Sequence, residues 1–405
     1  MFEKRAWNVV ASVVVIGVVL CLFLERDQRP DFSDFSVYWV AGGKAAHHQT
    51  VYDVQGHYQY KYSPFVALLW SLPAAFLPGG KYAWKWLHYL VCGVSWYALW
   101  FAFARALDRR HAFIWWCALT LVFSVGIRDE LKLGQANLWP FLLVLPAWFV
   151  GRRERGARGF DALGFAIGAA WGLAIQWKLY ALVLAPIWLL RGRVQVFVGA
   201  IAMTVLTLFG IQSAAHGGSF ALAENARWLQ SLTASSQELL VSKYNVSLLG
   251  ILGKLGRHVG ASLGPWAYAI WFVVALAWLA GLVWAEREGA ARRSLFSIFW
   301  SASWAWAGIV VLNPLVWPYW LICCAPLFLA YAREATADGI AHAGLAFFAV
   351  SALFVSMNWL QNFGIVHLGG SLVATMALGV DAFRRARRRD ESQLAKLSTA
   401  AAPLL

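Results

Sequence analysis

Long apolar runs separated by short polar turns dominate this chain. Stretches such as LGFAIGAAWGLAI show no alternation of apolar and polar positions, so they predict α-helices rather than strands of a barrel. Each run is near the ~17–25 residues that a transmembrane helix needs, although one of them, 178–190, is short. We therefore predict an all-α polytopic membrane protein with about twelve transmembrane helices. The runs lie at 7–24, 84–104, 111–127, 136–150, 160–176, 178–190, 194–213, 265–285, 294–312, 316–331, 339–357 and 364–382.

One further run, SPFVALLWSLPAAFLP at 63–78, is ambiguous because it is short and contains three prolines. The distribution of Lys and Arg decides between the two topologies. If this run does not span, the Arg-rich connections all fall on one side, as cytoplasmic loops do. If it spans, the Arg clusters at 105–110 and 152–158 move outside. We therefore predict a juxtamembrane helix at 63–78 on the outer side, with both termini cytoplasmic.

With the chain threaded in this way, the polar clusters gather on the outer face. They include PDFSDFSVYW, YKYSPF, IRDELKLGQANLW, IQWKLY, SKYNVSLLG and LNPLVWPYW. Two long external loops, 25–83 and 214–264, are expected to form the walls of a site, and the spans to serve as its scaffold. We predict one integral membrane domain over 1–382 and a basic cytoplasmic tail over 383–405.

Composition agrees with a membrane protein, since 60% of the residues are hydrophobic and only 13% are charged. The net charge of +14 does not require nucleic acid as a partner. Six Lys and Arg lie in FRRARRRDESQLAK, and most of the others lie in short loops. This pattern indicates topology and attraction to anionic lipid head groups.

Asp34 is the first candidate for chemistry, because it lies just beyond the first apolar run, where the chain leaves the bilayer. A carboxylate at the lip of a low-dielectric pocket is a general base, a salt-bridge partner or a solvated loop residue. Asp31 is near enough to raise the pKa of such a base. The spacing of FSVYW, which follows Asp34, predicts a helix in the membrane interface with its aromatic residues facing lipid.

Cationic, amide and aromatic side chains supply the other candidates. Lys178 interrupts apolar sequence at a cost of roughly 2.5–3.5 kcal/mol on insertion scales, so it either snorkels or binds a partner or ligand such as a phosphate. Gln135 and Asn137 are either caps of a helix or readers of sugar hydroxyls. LNPLVWPYW presents Trp317, Tyr319 and Trp320, whose rings suit sugar faces or an interfacial belt. No Ser/His/Asp signature, nucleotide-binding motif or His/Cys cluster is visible, and we expect no metal and no cofactor.

The ordered set of motifs resembles glycosyltransferase family 87, within the membrane-embedded C-type superfamily. The matching pieces are DFSVYWVAGG with a downstream VYD, YKYSPF leading to LP, LGQANL, WKLY, YNVSLLG and LNPLVWPYW, from about residue 31 to 330. Better-known members are mannosyltransferases that use polyprenyl-phosphate-mannose. The resemblance therefore implies a polyprenyl-phosphate sugar as donor.

By position, the resemblance assigns the family's essential acid, at the head of a D-x-x-V-Y pattern, to Asp34 as the general base. It also implies that basic residues hold the donor phosphate, which points to Lys178, Arg128 and Lys61. Family members often carry histidine shortly after the Trp of P-x-x-W, whereas Pro318 and Tyr319 follow here. The residues expected to bind substrate are Asp31, Lys61, Tyr62, Arg128, Glu130, Gln135, Asn137, Lys178, Asn245, Trp317 and Tyr319.

These observations lead to one functional expectation. The protein transfers a hexosyl residue, by resemblance mannosyl, from a polyprenyl-phosphate sugar to a lipid or glycan acceptor, with inversion, at the outer face of a bacterial inner membrane. Its expected partners are the donor, the acceptor and membrane lipids, and no nucleic acid. A transporter or flippase is the alternative, which would need charges at the bilayer midplane and pseudo-symmetry between halves. A scaffold subunit without turnover also stays open.

Overall fold

A computed structural model describes the parts of the chain that surround the candidate residues. The described residues are 33–52, 60–76, 80–104, 116, 120, 123–149, 159–233, 240, 242, 245, 247–258, 260, 264–292 and 295–327. All regular secondary structure in them is helical, which confirms the predicted all-α class. The predicted first span, the last two spans, the basic tail and Asp31 lie outside these residues.

The first half of the described chain begins with two short helices in the first predicted external loop. They precede a long helix and three shorter ones. The bounds are α1 Ser33–Ala46, α2 Pro64–Phe76, α3 Gly80–Ala104, α4 Ser124–Leu133, α5 Leu138–Val144 and α6 Ala162–Trp177. A 3₁₀ segment, Leu145–Phe149, continues α5.

The second half contains the longest of the described helices, which has 28 residues. A 3₁₀ segment, Leu179–Leu184, leads into α7 Ala185–Leu190. The next elements are α8 Val194–Val205, a π-helical segment Leu206–Ile211, α9 Gln212–His216, α10 Gly218–Thr233, α11 Leu248–His258, α12 Pro265–Arg292 and α13 Leu295–Leu312. A further 3₁₀ segment, Pro318–Cys324, follows α13.

Two helices of the described part are long and apolar enough to cross a membrane, Val194–His216 and Pro265–Arg287. Their outward side chains are apolar: Phe272 is 57% exposed and Val273 is 64% exposed, as lipid contact requires. Several other predicted spans are broken into short helical and 3₁₀ pieces at prolines such as Pro186. The count of about twelve spans therefore stays a prediction.

Among the described helices, the most extensive interface joins α6 and α8, whose backbones touch directly. A Cβ added at Gly168 would collide with the carbonyl of Val196, and one at Gly199 would collide with that of Phe165. Small residues allow transmembrane helices to approach in this way. Beyond the glycines, Gln176 donates a hydrogen bond to the Thr207 hydroxyl at 2.7 Å. The Gln176–Thr207 pair therefore lies beside an interface in which the two helix backbones are in direct contact.

Helix α1 lies on α2 with its aromatic residues turned inward, so the prediction that they face lipid is wrong. Phe35 and Tyr38 are buried, and their ring centroids lie 5.3 Å and 5.5 Å from that of Trp70. Gly42 allows this contact, because a Cβ there would meet the Trp70 backbone. The inward face also gives the Tyr38 hydroxyl a partner, which a lipid-facing position would not.

Two opposite ends of the bundle carry different polar groups. Helix α6 begins at Asp161, which pairs with Arg193 at 2.7 Å, and ends one residue before Lys178. At about 1.5 Å per residue, its 16 residues separate these ends by about 24 Å. We call them the Arg193 end and the Lys178 end.

A buried ion pair clamps three helices near the Arg193 end. The Arg191 guanidinium lies 2.7 Å from the Glu286 carboxylate of α12 and also donates to the Ile298 carbonyl and the Ser301 hydroxyl of α13. Both charged side chains are buried. Arg191, a basic residue in a short connection between two predicted spans, is therefore also part of the packing.

Removing one member of this pair should destabilise the protein more than removing both. Arg191→Met leaves the Glu286 carboxylate buried without its counter-ion, and we expect a loss of about 3–5 kcal/mol. The double variant Arg191→Met/Glu286→Met leaves no unpaired charge and should recover most of that loss. Thermal unfolding of the detergent-solubilised protein measures both variants. A double variant as unstable as the single one would contradict the clamp.

Candidate active site

Lys178 carries a buried positive charge at the Lys178 end of the bundle. It terminates α6 in an extended conformation and is only 8% exposed, so it does not snorkel out of the bundle. Its Nζ donates to the Tyr62 hydroxyl at 2.9 Å. The same ammonium lies 4.7 Å from the Tyr62 ring centroid and 5.6 Å from that of Trp320. Two aromatic faces therefore stabilise the buried cation.

Tyr62 links Lys178 to the helix that carries Asp34. Its hydroxyl oxygen also accepts a 2.6 Å hydrogen bond from Tyr38. Tyr38 stands one helical turn after Asp34, so both side chains lie on the same face of α1. Burial raises the pKa of Tyr38 well above its usual range, which keeps the phenol a neutral donor. Asp34, Tyr38, Tyr62 and Lys178 thus form one connected polar region.

Glu130 organises the connection between α4 and α5. The residue is completely buried, and its carboxylate accepts from the backbone N–H of Asn137 at 2.5 Å, from the Asn137 amide at 2.7 Å and from the Leu138 N–H at 3.1 Å. Burial raises the pKa of Glu130 to about 7, although these hydrogen bonds and the charge of Lys178 oppose the rise. Asn137 also accepts a hydrogen bond from Tyr180. The amide of Asn137 does not cap α5.

The turn beside Glu130 brings Gln135 to Asp34. Gly134 adopts a left-handed conformation, φ 69°, and its N–H bonds to the Glu130 carbonyl. A Cβ at this position would meet Phe35, the residue after Asp34, so the glycine allows α1 to approach the turn. The Gln135 amide then donates to the Asp34 carboxylate. The acid and the amide are 101 residues apart in sequence.

His88 supports this turn from α3. The Trp139 indole, which can only donate, points at His88 Nδ1 at 3.1 Å, so that nitrogen is the acceptor. His88 Nε2 lies 3.3 Å from the Glu130 carbonyl and therefore carries the proton. Trp139 in turn stacks on Trp177, the residue before Lys178, with centroids 4.9 Å apart. The neutral imidazole joins the Glu130 turn to the surroundings of Lys178.

Asn245 holds the chain rather than presenting its amide to a cavity. Its Nδ2 donates to the carbonyls of Leu240 and Pro314, and its Oδ1 accepts from the N–H groups of Ser247 and Val316. The second predicted external loop is thereby tied to the turn before Trp320. The prediction that Asn245 binds substrate is untested, but its amide is occupied by four backbone groups.

The remaining predicted residues fall into two groups. Lys61 is half-buried, burial lowers its pKa, and its carbonyl accepts from Trp228. Trp317 is partly buried, and its carbonyl accepts from the N–H of Trp320. For Arg128 and Tyr319 the side chains, and for Asp31 the whole residue, lie outside the described part.

Sequence reasoning missed three residues of this site. Tyr38 belongs to the D-x-x-V-Y pattern one turn after Asp34, and Tyr180 closes WKLY. Both patterns were visible, but the partners of the two hydroxyls were not. His88 had a weaker signal, a histidine within an apolar run.

Comparison with known proteins decides the family. Residues 60–302, more than half of the 405-residue chain, match the profile of glycosyltransferase family 87. The chain belongs to this glycosyltransferase family. No curated protein and no solved structure matches it.

Membership in glycosyltransferase family 87 confirms the resemblance inferred from the motifs and indicates a membrane glycosyltransferase. The matched region contains Tyr62, Glu130, Gln135, Asn137 and Lys178. It begins after α1, so the role of Asp34 rests on its motif and its contact with Gln135.

Loss of the Asn245 amide should loosen the turn before Trp320. Asn245→Ala leaves buried backbone groups without partners, each at about 1–3 kcal/mol, so we expect a clear fall in thermal stability. The matched control is Asn313→Ala, because within the described residues the Asn313 side chain accepts one hydrogen bond, from the Leu315 N–H. Melting curves of both variants in detergent measure the difference. Equal losses would show that Asn245 does not hold the turn.

Proposed function

We propose that this protein transfers a hexosyl residue, by resemblance mannosyl, from a polyprenyl-phosphate sugar to a lipid or glycan acceptor. The transfer inverts the anomeric configuration, and Asp34 is the general base. The site lies at the outer face of a bacterial inner membrane, with both termini cytoplasmic. Family membership supports sugar transfer, and the Lys178 end supports a phosphate-bearing donor.

One observation carries the phosphate assignment: the donors around Lys178 outnumber their acceptors. Lys178 is buried, yet within the described residues its three N–H groups have one acceptor, the Tyr62 hydroxyl. The Trp320 indole N–H, whose ring lies 5.6 Å from the Lys178 ammonium, is buried and has no acceptor there either. A buried set of unpaired donors with a positive charge suits a phosphate oxygen.

The proposed reaction needs positioning and charge stabilisation more than covalent help. The acceptor oxygen attacks the anomeric carbon as the bond from that carbon to the phosphate oxygen breaks, and attack from the opposite face inverts the configuration. Asp34 takes the hydroxyl proton. The leaving polyprenyl phosphate carries the electron pair of the broken bond, and Lys178 stabilises its charge.

The architecture also suits a donor with a lipid tail. Exposed apolar faces of α8 and α12 indicate that these helices contact lipid. A polyprenyl tail therefore rests in the same hydrocarbon while its head group reaches the Lys178 end. We assign the Lys178 end to the outer side of the membrane because the Arg-rich connections lie on the other side.

Asp34→Asn should abolish transfer, because an amide cannot accept the hydroxyl proton. We expect turnover to fall at least ~100-fold, within the range attributed to general base catalysis. Membranes containing the variant are incubated with labelled polyprenyl-phosphate-mannose, and the label in acceptor lipids and glycans is counted. Wild-type turnover at equal expression would remove Asp34 from its assigned role.

Lys178→Met should weaken donor binding, since the phosphate loses its buried cation. We expect binding of polyprenyl-phosphate-mannose to fall by at least ~10-fold. Lys132→Met is the matched control, because Lys132 is an exposed lysine in the last turn of α4. Titration of purified protein with labelled donor separates the two. If both variants bind like the wild type, Lys178 does not hold the phosphate.

A further inference from the structure

We infer that Gln135 is a positioning residue, whose carboxamide holds the Asp34 carboxylate in the orientation needed for base catalysis. This inference rests on the proposed function, in which Asp34 is the base. It changes the expected role of Gln135 from a reader of sugar hydroxyls to a partner of the reacting carboxylate.

The Gln135 side chain has a single hydrogen-bond partner among the described residues, which is the first observation that supports this role. Gln135 is 4% exposed, and within the described residues its side chain makes one hydrogen bond, to Asp34. A buried amide with a single carboxylate partner has no other interaction there that would fix its direction. One of the two amide N–H groups binds Asp34, so any contact of Gln135 with a sugar would use the other N–H group or the carbonyl oxygen.

The second support is the rigidity of the turn that carries Gln135. The Gln135 N–H donates to the Glu130 carbonyl at 2.8 Å, and the Glu130 carboxylate accepts from the N–H groups of Asn137 and Leu138. Gly134 contacts Phe35 on the other side. Because Phe35 follows Asp34, this contact fixes the first turn of α1 against the amide.

The third support is the chemistry of a neutral donor. A hydrogen bond to the ionised carboxylate favours the anion that a base requires. A guanidinium in the same place would lower the basicity of the carboxylate much further, by roughly 1–3 pKa units. An amide thus orients the carboxylate and leaves it able to accept a proton.

Other ionisable groups set the background against which this effect is measured. Among the described residues, the contacts above place Tyr38 on α1, Tyr62 before α2, Glu130 on α4 and Lys178 after α6 in this polar region. Substitution at Gln135 leaves all four in place. A change in the pH dependence of transfer therefore reports on the Gln135–Asp34 contact.

The experiment compares pH–rate profiles of Gln135→Met and the wild type, using labelled polyprenyl-phosphate-mannose and membrane acceptors. Loss of the donor disfavours the Asp34 anion, so we expect the acid limb to move up by about one pH unit and kcat to fall about tenfold. KM for the donor should stay within about twofold, because Gln135 acts through Asp34. Gln176→Met is the matched control, since Gln176 is a buried glutamine that bonds to Thr207 instead. The acid limb of the Gln176→Met profile should coincide with that of the wild type.

Two outcomes separate this inference from the proposed function. If Asp34→Asn retains transfer, the base assignment fails whatever Gln135 does. If Asp34→Asn is inactive and Gln135→Met keeps the wild-type acid limb, only the positioning role fails.

If Gln135→Met does not fold, a cross-linking experiment tests instead whether residues 34 and 135 lie close together. The double variant Asp34→Cys/Gln135→Cys should be joined by a short bifunctional thiol reagent, whereas Lys44→Cys/Gln135→Cys, ten residues further along α1, should not. Absence of the first cross-link, or formation of both, would overturn the inference.

Discussion

The buried carboxylate of Glu130 is the interaction on which the polar end of this protein depends. A carboxylate within a helical bundle loses its hydration, and only hydrogen bonds and nearby positive charge can offset that loss. Two backbone N–H groups and the Asn137 amide supply the hydrogen bonds. The same bonds fix the chain between α4 and α5, so the residues on it have defined directions.

The other parts of the site are arranged around this fixed connection. Gln135 extends from it to Asp34, Tyr180 donates to Asn137, and His88 holds it from α3. Lys178 acts on Glu130 through its charge and contacts Tyr62 directly. Residues from five separate stretches of sequence therefore share one polar region.

The sequence was sufficient for the helical class and for several members of the site. Lys178 stood out because a charge within an apolar run needs a partner, and Gln135 and Asn137 stood out as amides at the start of a helix. Their partners were not predictable, because the contact of Gln135 joins residues 101 positions apart. Asn245 illustrates the reverse case: a polar residue in a family-like motif whose amide is used by the backbone.

The orientation of α1 could not be inferred from its own residues. Its aromatic side chains suit lipid and a protein core equally well. Gly42 allows the close contact with α2, but this is visible only once Trp70 is known to lie opposite it. The number of spans was uncertain for a related reason. A length criterion counts apolar residues, whereas prolines and 3₁₀ segments such as Leu179–Leu184 divide a run into pieces shorter than a membrane is thick.

The interface of α6 and α8 has a consequence for biogenesis. Gln176 and Thr207 satisfy each other only when the two helices are already side by side, and the glycines leave no side chains between them that could adapt to another neighbour. An amide that entered hydrocarbon alone would lose several kcal/mol of hydration without compensation. The two helices run in the same direction, since Gly168 meets Val196 and Gln176 meets Thr207, and residues 179–190 separate them in sequence. The Gln176 amide therefore gains this partner only after the later helix has been synthesised and has packed against α6.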